Sequence, residues 1–332
     1  MRVAVLDLGS NTFHLLVAQV DAAGRVERLD GAKRVVRLGA GLLAGGVLEE
    51  SAWDRGLGAV GALLERAART SGCRVVAVAT SAVREAADGG AFVEAIERRH
   101  GVRVEVLDSD DEARLVYAGA RSALPPDAGR IAVIDVGGGS VELAVGDVTA
   151  DGAAGEADEC LYTASRPLGV LRLLHACIPG GGPMRYDRVL AVVSRVRAGL
   201  AGPAAAVRDL APREVVLTAG TARAIGRLVA PDCEGPRFLG RDEAVRLAAH
   251  LAQLSPAARQ ALGVEEARAD TIAVGALAIA TLIELLGVDR VRISDRALRE
   301  GVALREHRRV NLGLPPRAAP GGPRRPVAQP AG

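Results

Sequence analysis

Two stretches of the chain share one pattern of apolar and polar positions. The first reads Val-Ala-Val-Leu-Asp-Leu-Gly-Ser-Asn-Thr-Phe-His-Leu-Leu-Val over residues 3–17, and the second reads Ile-Ala-Val-Ile-Asp-Val-Gly-Gly-Gly-Ser-Val-Glu-Leu-Ala-Val over residues 131–145. In each, an apolar run ends at an Asp, a glycine-containing turn follows, and a second apolar run begins. This pattern predicts two β-hairpins, each opening one half of the chain.

Further strands and helices are predicted between and after the hairpins. Short apolar runs of the strand type cover 26–29, 34–38, 74–79, 102–107, 214–217 and 291–294. Helical periodicity covers 49–70, 92–100, 110–122, 188–200, 221–229, 241–254, 270–286 and 298–308. Strands mixed with helices in two similar halves predict an α/β protein of two domains with a cleft between them. Ligands of such sheets lie outside the C-terminal strand ends, where both Asp-Gly turns fall.

The domain boundary is predicted before the second hairpin, where Pro125-Pro-Asp-Ala-Gly129 interrupts the periodic pattern. We expect a first domain over 1–124 and a second over 125–310, whose last helix can pack back on the first. A length of 332 residues agrees with two domains, each large enough for its own core. The small, acidic stretch 149–159 predicts a loose excursion. The Pro- and Arg-rich segment 311–332 predicts a disordered tail, because it cannot bury apolar surface.

Composition narrows the class of protein. A net charge of +2 gives no reason to expect bulk nucleic-acid binding. The four scattered cysteines lack metal-ligand spacing and indicate reduced thiols in a cytoplasmic protein. The N-terminus enters a strand without the pattern of a signal peptide. The longest apolar run, 272–286, is shorter than the roughly 20 residues of a membrane span, so we expect a buried helix and no membrane association.

The hairpin turns are candidate phosphate sites. A glycine turn lets the backbone approach a ligand closely and point several N–H groups at it. The donors would come from Ser10, Asn11, Gly137, Gly138, Gly139 and Ser140. Asp7 and Asp135, at equivalent places in the repeat, can hold a hydrated Mg²⁺, although Asp also serves simply to fix turns. Two such turns facing each other would hold a polyphosphate from both sides.

Four motifs, taken in order, resemble the exopolyphosphatase and guanosine-pentaphosphate phosphatase (Ppx/GppA) family. They are Asp-Leu-Gly-Ser-Asn-Thr-Phe-His at 7–14, Thr-Ser-Ala-Val-Arg-Glu-Ala at 80–86, Asp-Asp-Glu-Ala-Arg at 110–114 and Asp-Val-Gly-Gly-Gly-Ser-Val-Glu-Leu at 135–143. Lesser matches extend the likeness over about residues 1 to 305, at 165–169, 218–222, 268–270 and 298–301. The resemblance implies two ribonuclease-H-like domains of the actin, sugar-kinase and heat-shock-chaperone superfold, with the active site in the cleft between them.

The resemblance also implies an activity. It points to a cytoplasmic enzyme that removes terminal orthophosphate from inorganic polyphosphate with Mg²⁺. Hydrolysis of guanosine pentaphosphate, which belongs to the stringent response, is the alternative within the family. A non-catalytic nucleotide or polyphosphate sensor is the alternative from another class. A homodimer, Mn²⁺ in place of Mg²⁺ and a K⁺ requirement are further expectations that the resemblance carries.

The chain departs from the family pattern in three respects. Asp111 replaces a more usual Glu, which keeps the charge but shortens the reach of the side chain. Asp295-Arg296 stands where the family commonly has a Pro-Trp pair, which leaves the contacts of that loop open. The sequence also lacks the additional helical C-terminal domains of longer relatives, which help to hold long polymers. We therefore expect a preference for shorter polyphosphate chains.

By resemblance, Glu112 occupies the position of the family's catalytic glutamate, which activates a water. A carboxylate crowded by phosphate and other acids has a raised pKa, which suits a general base near neutrality. The residues alone leave another interpretation, because Ser109-Asp-Asp-Glu112 is also a capping box with Glu112 at N3. Arg84 matches a family arginine that faces the substrate, where a guanidinium can bind phosphate in a bidentate manner. Its alternative is a solvated surface side chain.

Four more residues carry alternatives of the same kind. Glu142 matches a family residue of the site and is a candidate metal ligand, but strand alternation also allows it a solvent-facing position. Gly220 and Thr221 lie at a predicted strand-to-helix turn, where they either accept an anion at the helix N-terminus or pack closely. His14 is predicted to be a strand residue near the core, without a part in the chemistry.

Overall fold

The computed structural model describes residues 1–148, 160–178 and 183–314. Its strands are β1 (Arg2–Leu8), β2 (Thr12–Val20), β3 (Val26–Val35), β4 (Cys73–Ala79), β5 (Val104–Val106), β6 (Gly129–Val136), β7 (Val141–Val148), β8 (Tyr162–Arg166), β9 (Glu214–Thr218), β10 (Arg237–Gly240) and β11 (Arg290–Ile293). Its α-helices are α1 (Leu42–Gly45), α2 (Glu50–Ala67), α3 (Ser81–Glu85), α4 (Gly89–His100), α5 (Ser109–Arg121), α6 (Val170–Cys177), α7 (Tyr186–Asp209), α8 (Ala219–Val229), α9 (Arg241–Gln253), α10 (Pro256–Ala261), α11 (Ile272–Leu286) and α12 (Leu298–Asn311). The predicted excursion 149–159 lies outside the described residues, as does the predicted tail beyond residue 314.

Two mixed sheets with the same central arrangement form the framework. The first has the strand order β3-β2-β1-β4-β5, and the second has the order β10-β11-β9-β6-β7-β8. β1 pairs antiparallel with β2 and parallel with β4, while β6 pairs antiparallel with β7 and parallel with β9. The two hairpins therefore occupy equivalent places, and the predicted α/β fold with two similar halves is confirmed.

The registers of the hairpins place polar residues at matching positions. Asp7 on β1 is paired with His14 on β2, and Asp135 on β6 is paired with Glu142 on β7. Directly opposite residues of an antiparallel pair have neighbouring side chains on one face of the sheet. Each Asp thus has a titratable neighbour beside it, and His14 is the counterpart of Glu142.

The central strands are buried on both faces, which explains their unbroken apolar runs. On β1, Leu6 packs in a core with residues of α2 and α4, whereas Val5 packs in a core with residues of α5 and α12. On β6, Val133 enters the same core as Val5, while Ile134 packs in the large core around α11. One core therefore contains residues of both sheets and joins the two halves.

The last helix, α12, follows the second sheet in the chain but packs against α5 and β1. The backbones of α5 and α12 approach closely at two glycines. A Cβ on Gly119 would overlap the carbonyl of Ala297, and a Cβ on Gly301 would overlap the carbonyl of Leu115. Because α5 also contacts β7 and β8, the two helices lie between the sheets. The position of the domain boundary, between residues 124 and 125, stays a prediction.

The sequence prediction was wrong at the third strand. The separate strands predicted over 26–29 and 34–38 are one strand, β3, with a register shift in its pairing opposite Val17 and Ala18. β3 lies at the edge of its sheet and is mostly exposed, so Asp30 and Gly31 can continue the strand instead of ending it. Polar residues at a sheet edge need no buried partners.

The apolar run 272–286 forms α11, in which all residues except Glu284 and Leu285 are buried. The expectation of a buried helix is therefore confirmed. α7 is longer than the helix predicted over 188–200 and continues past the buried Pro203. By length and composition alone, α7 could cross a membrane, but buried core helices of water-soluble proteins pass the same test. One face of α7 packs in the core around α11, through residues that include Val196 and Leu200.

Candidate active site

The turns of the two hairpins face each other. A Cβ placed on Gly138 would lie 3.5 Å from the Cβ atoms of both Asn11 and Ser10. A Cβ on Gly139 would overlap the hydroxyl of Ser81 and lie 2.8 Å from the hydroxyl of Ser10. A side chain at residue 139 would require these serines to move, so the glycine favours the close approach of the two turns. This is the arrangement that two opposed phosphate sites require.

A cavity of about 130 Å³ lies where the turns meet. Most of the predicted site residues line it, namely Asp7, Ser10, Asn11, Glu112, Asp135, Gly137, Gly138, Gly139, Ser140, Glu142, Gly220 and Thr221. Arg84 does not line it. The structure adds residues that the sequence did not single out for this site, among them Thr80, Ser81, Arg223, Arg268 and Arg299.

Backbone amides of neighbouring segments hold the carbonyl groups of both turns. The Leu171 amide, at the start of α6, donates to the Gly138 carbonyl at 2.9 Å, and the Gly39 amide donates to the Ser10 carbonyl at 2.8 Å. Within the described part of the chain, the amides of Gly138 and Gly139 have no acceptor. Successive amides without internal acceptors in a glycine turn form a nest for an anion.

Glu112 lies in the first turn of α5 and lines the cavity. The helix is capped by Asp108, whose side chain accepts a hydrogen bond from the Asp111 amide at 2.8 Å. Glu112 is therefore the fourth residue of the helix and not the third, and its interpretation as a capping residue is wrong. Its Oε2 instead accepts a hydrogen bond from Arg84 Nη1 at 2.8 Å.

Burial sets the acidity of Glu112. The residue is 7% exposed, and its removal from water raises its pKa to about 7. Arg84 opposes this shift, whereas the nearby charges of Asp135 and Asp7 add to it. A carboxyl group with a pKa near neutrality can accept a proton from a water molecule at neutral pH and is therefore suited to be a general base.

Arg84 lies on α3, and its predicted direct contact with phosphate stays a prediction. Its Nη1 donates to the Leu107 carbonyl and to the Glu112 carboxylate, both at 2.8 Å. The alternative of a solvated surface residue is wrong, because the side chain is only 19% exposed. Arg84 instead holds Glu112 in place and ties it to the chain after β5.

Asp7, Asp135 and Glu142 line the same cavity, and each has a raised pKa. Burial raises the pKa of Asp7 to about 6 and is also the main cause of the raised pKa of Asp135. Burial, and then the charges of Glu112 and Asp135, raise the pKa of Glu142 well above its ordinary value. Glu142 is 2% exposed, so the solvent-facing alternative for this residue is wrong.

Two hydroxyl groups orient these carboxylates. Thr218 Oγ1 donates to Asp135 at 2.9 Å, and Ser165 Oγ donates to Glu142 at 3.0 Å. Thr218 and Ser165 lie in lesser motifs of the resemblance, but their role was not predicted. It depends on strand pairing, because Thr218 is opposite Asp135 in the parallel pair of β6 and β9, and Ser165 is opposite Glu142 in the pair of β7 and β8.

The carboxylates fit a divalent cation of the Mg²⁺ type. The available donors are oxygens, which suit Mg²⁺ better than zinc or copper. Burial keeps the pKa values of Asp7 and Asp135 raised despite the charges of Arg223 and Arg299, and a bound cation would supply further positive charge. No preformed cluster of three metal ligands is present among the described residues. Mg²⁺ usually keeps several waters and binds through one or two carboxylates together with substrate phosphates.

The turn between β9 and α8 also reaches the cavity. Ala219 has φ of 72°, in the left-handed region that a residue with a Cβ seldom adopts. At Gly220, the guanidinium of Arg268 occupies the space that a Cβ would need. Gly220 therefore packs closely against Arg268. Gly220 and Thr221 both line the cavity, so an anion contact at this helix N-terminus stays a prediction.

Three arginines from separate segments converge on the cavity. Arg223 lies on α8, Arg299 on α12, and Arg268 in the 3₁₀ turn Glu266–Arg268. Burial, and then repulsion from Arg299, lower the pKa of Arg223 to about 10, so its side chain remains charged at neutral pH. His14, on β2, also lines the cavity. Burial and the neighbouring arginines lower its pKa well below its ordinary value. The weak family matches at residues 268–270 and 298–301 were the only sequence signals for Arg268 and Arg299.

Known proteins share this architecture. The model of the Ppx/GppA phosphatase family matches residues 16–310. An uncharacterised protein of Streptomyces coelicolor is 35% identical over 92% of this chain and 90% of its own length. Exopolyphosphatase 1 of Mycobacterium bovis is 32% identical over 92% of this chain and 88% of its own length. The crystal structure of an exopolyphosphatase from Cytophaga hutchinsonii is 26% identical, covers 95% of this chain and 99% of its own, and superposes with a TM-score of 0.82.

A further solved structure, the Ppx/GppA family member of Aquifex aeolicus, has the same fold. It is 24% identical, with a TM-score of 0.74, and covers 94% of this chain and 99% of its own. The two mixed sheets are those of the ribonuclease-H-like, or actin-like, superfold, as the resemblance implied. With a family model matched over nearly its whole length and relatives above 30% identity, the chain belongs to the Ppx/GppA phosphatase family.

Proposed function

We propose that the protein is an exopolyphosphatase, which hydrolyses the terminal phosphoanhydride bond of inorganic polyphosphate. One observation carries the proposal. Glu112, a buried carboxylate with a pKa of about 7, lines the cavity at which two glycine turns face each other. Relatives from Mycobacterium bovis and Mycobacterium leprae that cover the same length are named exopolyphosphatase 1.

The turns hold the terminal phosphoryl group in this proposal. The amides of Gly138 and Gly139 and the hydroxyl of Ser10 donate to its non-bridging oxygens. Arg223 and Arg299 offset the negative charge that grows on the departing phosphate chain. Arg223 and Arg299 lie on helices, and the turn donors lie between paired strands, so little reorganisation is needed when the charge develops.

Glu112 is the general base. Its deprotonated carboxylate accepts a proton from a water as the water oxygen forms a bond to the terminal phosphorus. The bond between that phosphorus and the bridging oxygen breaks, and orthophosphate and a shortened chain are released. Arg84 is a positioning residue, which holds the carboxylate and lowers its pKa from the value that burial alone would give.

The carboxylates of Asp7, Asp135 and Glu142 would hold a divalent cation, for which we propose Mg²⁺ with Mn²⁺ as the alternative. When bound, the cation neutralises charge on the phosphate oxygens. The carboxylates themselves stay deprotonated in its presence, because a neighbouring cation favours their charged form. Thr218 and Ser165 keep Asp135 and Glu142 aimed at the cavity through their hydrogen bonds.

Phosphate release from tripolyphosphate in the presence of Mg²⁺ tests the proposal. We expect release by the unaltered protein and a loss of about 100-fold or more in Glu112→Gln, because proton transfer by a positioned base contributes that much. Glu94→Gln, the same change on the exposed face of α4, is the matched control and should retain full activity. No release, or equal release by Glu112→Gln, refutes the proposal. Faster hydrolysis of guanosine pentaphosphate than of polyphosphate assigns the family's other activity.

A further inference from the structure

A second cavity, of about 600 Å³, adjoins the first. The two cavities share lining residues, namely His14, Gly220, Arg223, Arg268 and Arg299. One wall of the second cavity comes from β2 and β3 of the first sheet, and the other comes from α8 and the segments around residues 265 and 295. A substrate that extends beyond the first cavity on this side enters the second.

The lining of the second cavity is strongly cationic. Its basic side chains are Arg28, Lys33, Arg223, Arg227, Arg237, Arg268 and Arg299, and they outnumber three carboxylates. Two of these carboxylates have partners that are not shared with Glu265. Glu300 accepts a hydrogen bond from the Ala297 amide at 2.9 Å within the first turn of α12, and Asp295 pairs with Arg237 at 3.5 Å. The third carboxylate, Glu265, is the one that faces several cations.

Glu265 binds cations from both halves of the protein. Its Oε2 lies 2.6 Å from Lys33 Nζ on β3 and 3.7 Å from Arg268 Nε, and its Oε1 lies 3.4 Å from Arg227. The hydrogen bond from Lys33 is the main cause of its lowered pKa, so the carboxylate is charged at neutral pH. The side chains of Glu265 and Lys33 are 39% and 50% exposed, so water and ions can reach the pair. Exposed ion pairs of this kind are individually weak.

We propose that Glu265 is an internal competitor for the basic cavity, and that the phosphoryl groups beyond the terminal one displace it when a long polyphosphate binds. The inference rests on the proposed function, which places the terminal phosphoryl group in the first cavity. A polyphosphate chain presents a row of anionic oxygens that can bind Lys33, Arg227 and Arg268 together, whereas Glu265 offers a single carboxylate. Only substrates long enough to reach the second cavity must displace Glu265. Glu265 therefore determines how the affinity for polyphosphate depends on chain length.

Glu265→Gln tests the competition. We expect the KM for long-chain polyphosphate to fall about three- to tenfold, as the loss of a few partly exposed ion pairs implies, with kcat unchanged. The KM for tripolyphosphate should stay the same. Asp295→Asn is the matched control, because it removes the same charge from the same cavity without touching Lys33. Equal KM changes for long-chain polyphosphate and tripolyphosphate, or an equal effect of Asp295→Asn and Glu265→Gln, would overturn the inference. Either result would show a general change in the electrostatic potential of the cavity.

Lys33 supplies a readout that needs no turnover. It is the sole lysine, so reductive methylation with ¹³C, which keeps the charge, gives one side-chain signal apart from that of the N-terminal amine. In Glu112→Gln protein without divalent cations, long polyphosphate should shift the Lys33 signal, and orthophosphate at the same phosphate concentration should not. An unshifted signal in an enzyme that is otherwise active, or an equal shift with orthophosphate, overturns the inference and leaves the proposed function intact. A shifted signal in a protein that releases no phosphate supports the anion site and refutes the catalytic proposal.

Discussion

Arg84 and Glu112 form an ion pair at 2.8 Å that joins α3 to the first turn of α5. Arg84 lies outside the cavity, but it acts on the group that we propose as the base. Burial raises the pKa of Glu112 to about 7, and Arg84 is the largest opposing influence. The pair therefore determines what fraction of Glu112 is deprotonated near neutral pH.

Arg84→Gln should make Glu112 a weaker acid. Because the general base must be deprotonated, activity of the unaltered protein should rise with pH through about 7 and then reach a plateau. In the variant, this rise should move to higher pH, and kcat at pH 7 should fall about fivefold for the first unit of pKa shift and about tenfold for each further unit. The pH dependence of kcat measures both effects, and Arg84→Lys should restore part of the activity.

A surface arginine serves as the control for this experiment. Arg98 on α4 has a side chain that is 70% exposed, and Arg98→Gln should leave the pH profile unchanged. If Arg84→Gln instead lowered kcat equally at every pH, its role would be a contact with substrate and not control of the base.

The buried carboxylates predict a pH-dependent stability in the absence of metal. Asp7 and Glu112 have pKa values of about 6 and about 7 in the folded protein, against roughly 4 in the unfolded chain. A raised folded pKa stabilises the protein fully below the unfolded pKa, and this stabilisation disappears as pH rises through 6 and 7. With a chelator present, the Tm of Asp7→Asn should therefore equal or fall below that of the unaltered protein at pH 4 and exceed it at pH 8.

Thermal unfolding with and without Mg²⁺ completes that test. Mg²⁺ should raise the Tm of the unaltered protein at pH 8 by a few degrees, at about 1–2 °C per kcal/mol for a chain of this size. Asp7→Asn should lose most of this increase, since it removes a proposed ligand. A Tm difference between the two proteins that is the same at all pH values would contradict the assigned acidity of Asp7.

The sequence predicted the hairpins and their two Asp residues because these signals are local. An apolar run, an Asp and a glycine turn fix the strand ends within a few residues, and the structure pairs them as expected. The helix that carries Glu112 was also predicted, but Asp108 and Ser109 are both good capping residues. Choosing the wrong one moved Glu112 by one position and kept an alternative open that the structure has closed.

The remaining parts of the site depend on contacts between distant segments. Arg223, Arg268 and Arg299 lie on three elements that meet only when the second half has folded. Neither periodicity nor turn chemistry reports which face of α8 or α12 reaches the cavity. The same holds for Arg84, because its contact with Glu112 follows from the packing of α3 beside the end of β5.

Gly301→Ala should destabilise the protein, because α5 and α12 leave no room for a Cβ at this position. The added methyl group would overlap the Leu115 carbonyl, and overpacking typically costs about 1–3 kcal/mol. Gly58→Ala, at an exposed site in α2 with open space around it, is the control and should stabilise the protein by about 0.5–1 kcal/mol. Denaturant unfolding of the two variants measures the contrast, and equal stabilities would show that the helices can separate without cost.

Ala219→Gly should raise stability and lower activity at once. Ala219 has φ of 72°, which costs a residue with a Cβ roughly 1–2 kcal/mol and costs glycine almost nothing. The strained turn fixes Gly220 and Thr221 at the cavity, so a glycine that loosens it should reduce kcat several-fold. Ala211 has a left-handed φ of 48° but does not line the cavity, so Ala211→Gly should give a similar gain in stability with unchanged phosphate release. If both variants kept full activity, the backbone of residue 219 would have no part in holding the substrate, and its strain would belong to the β9–α8 connection alone.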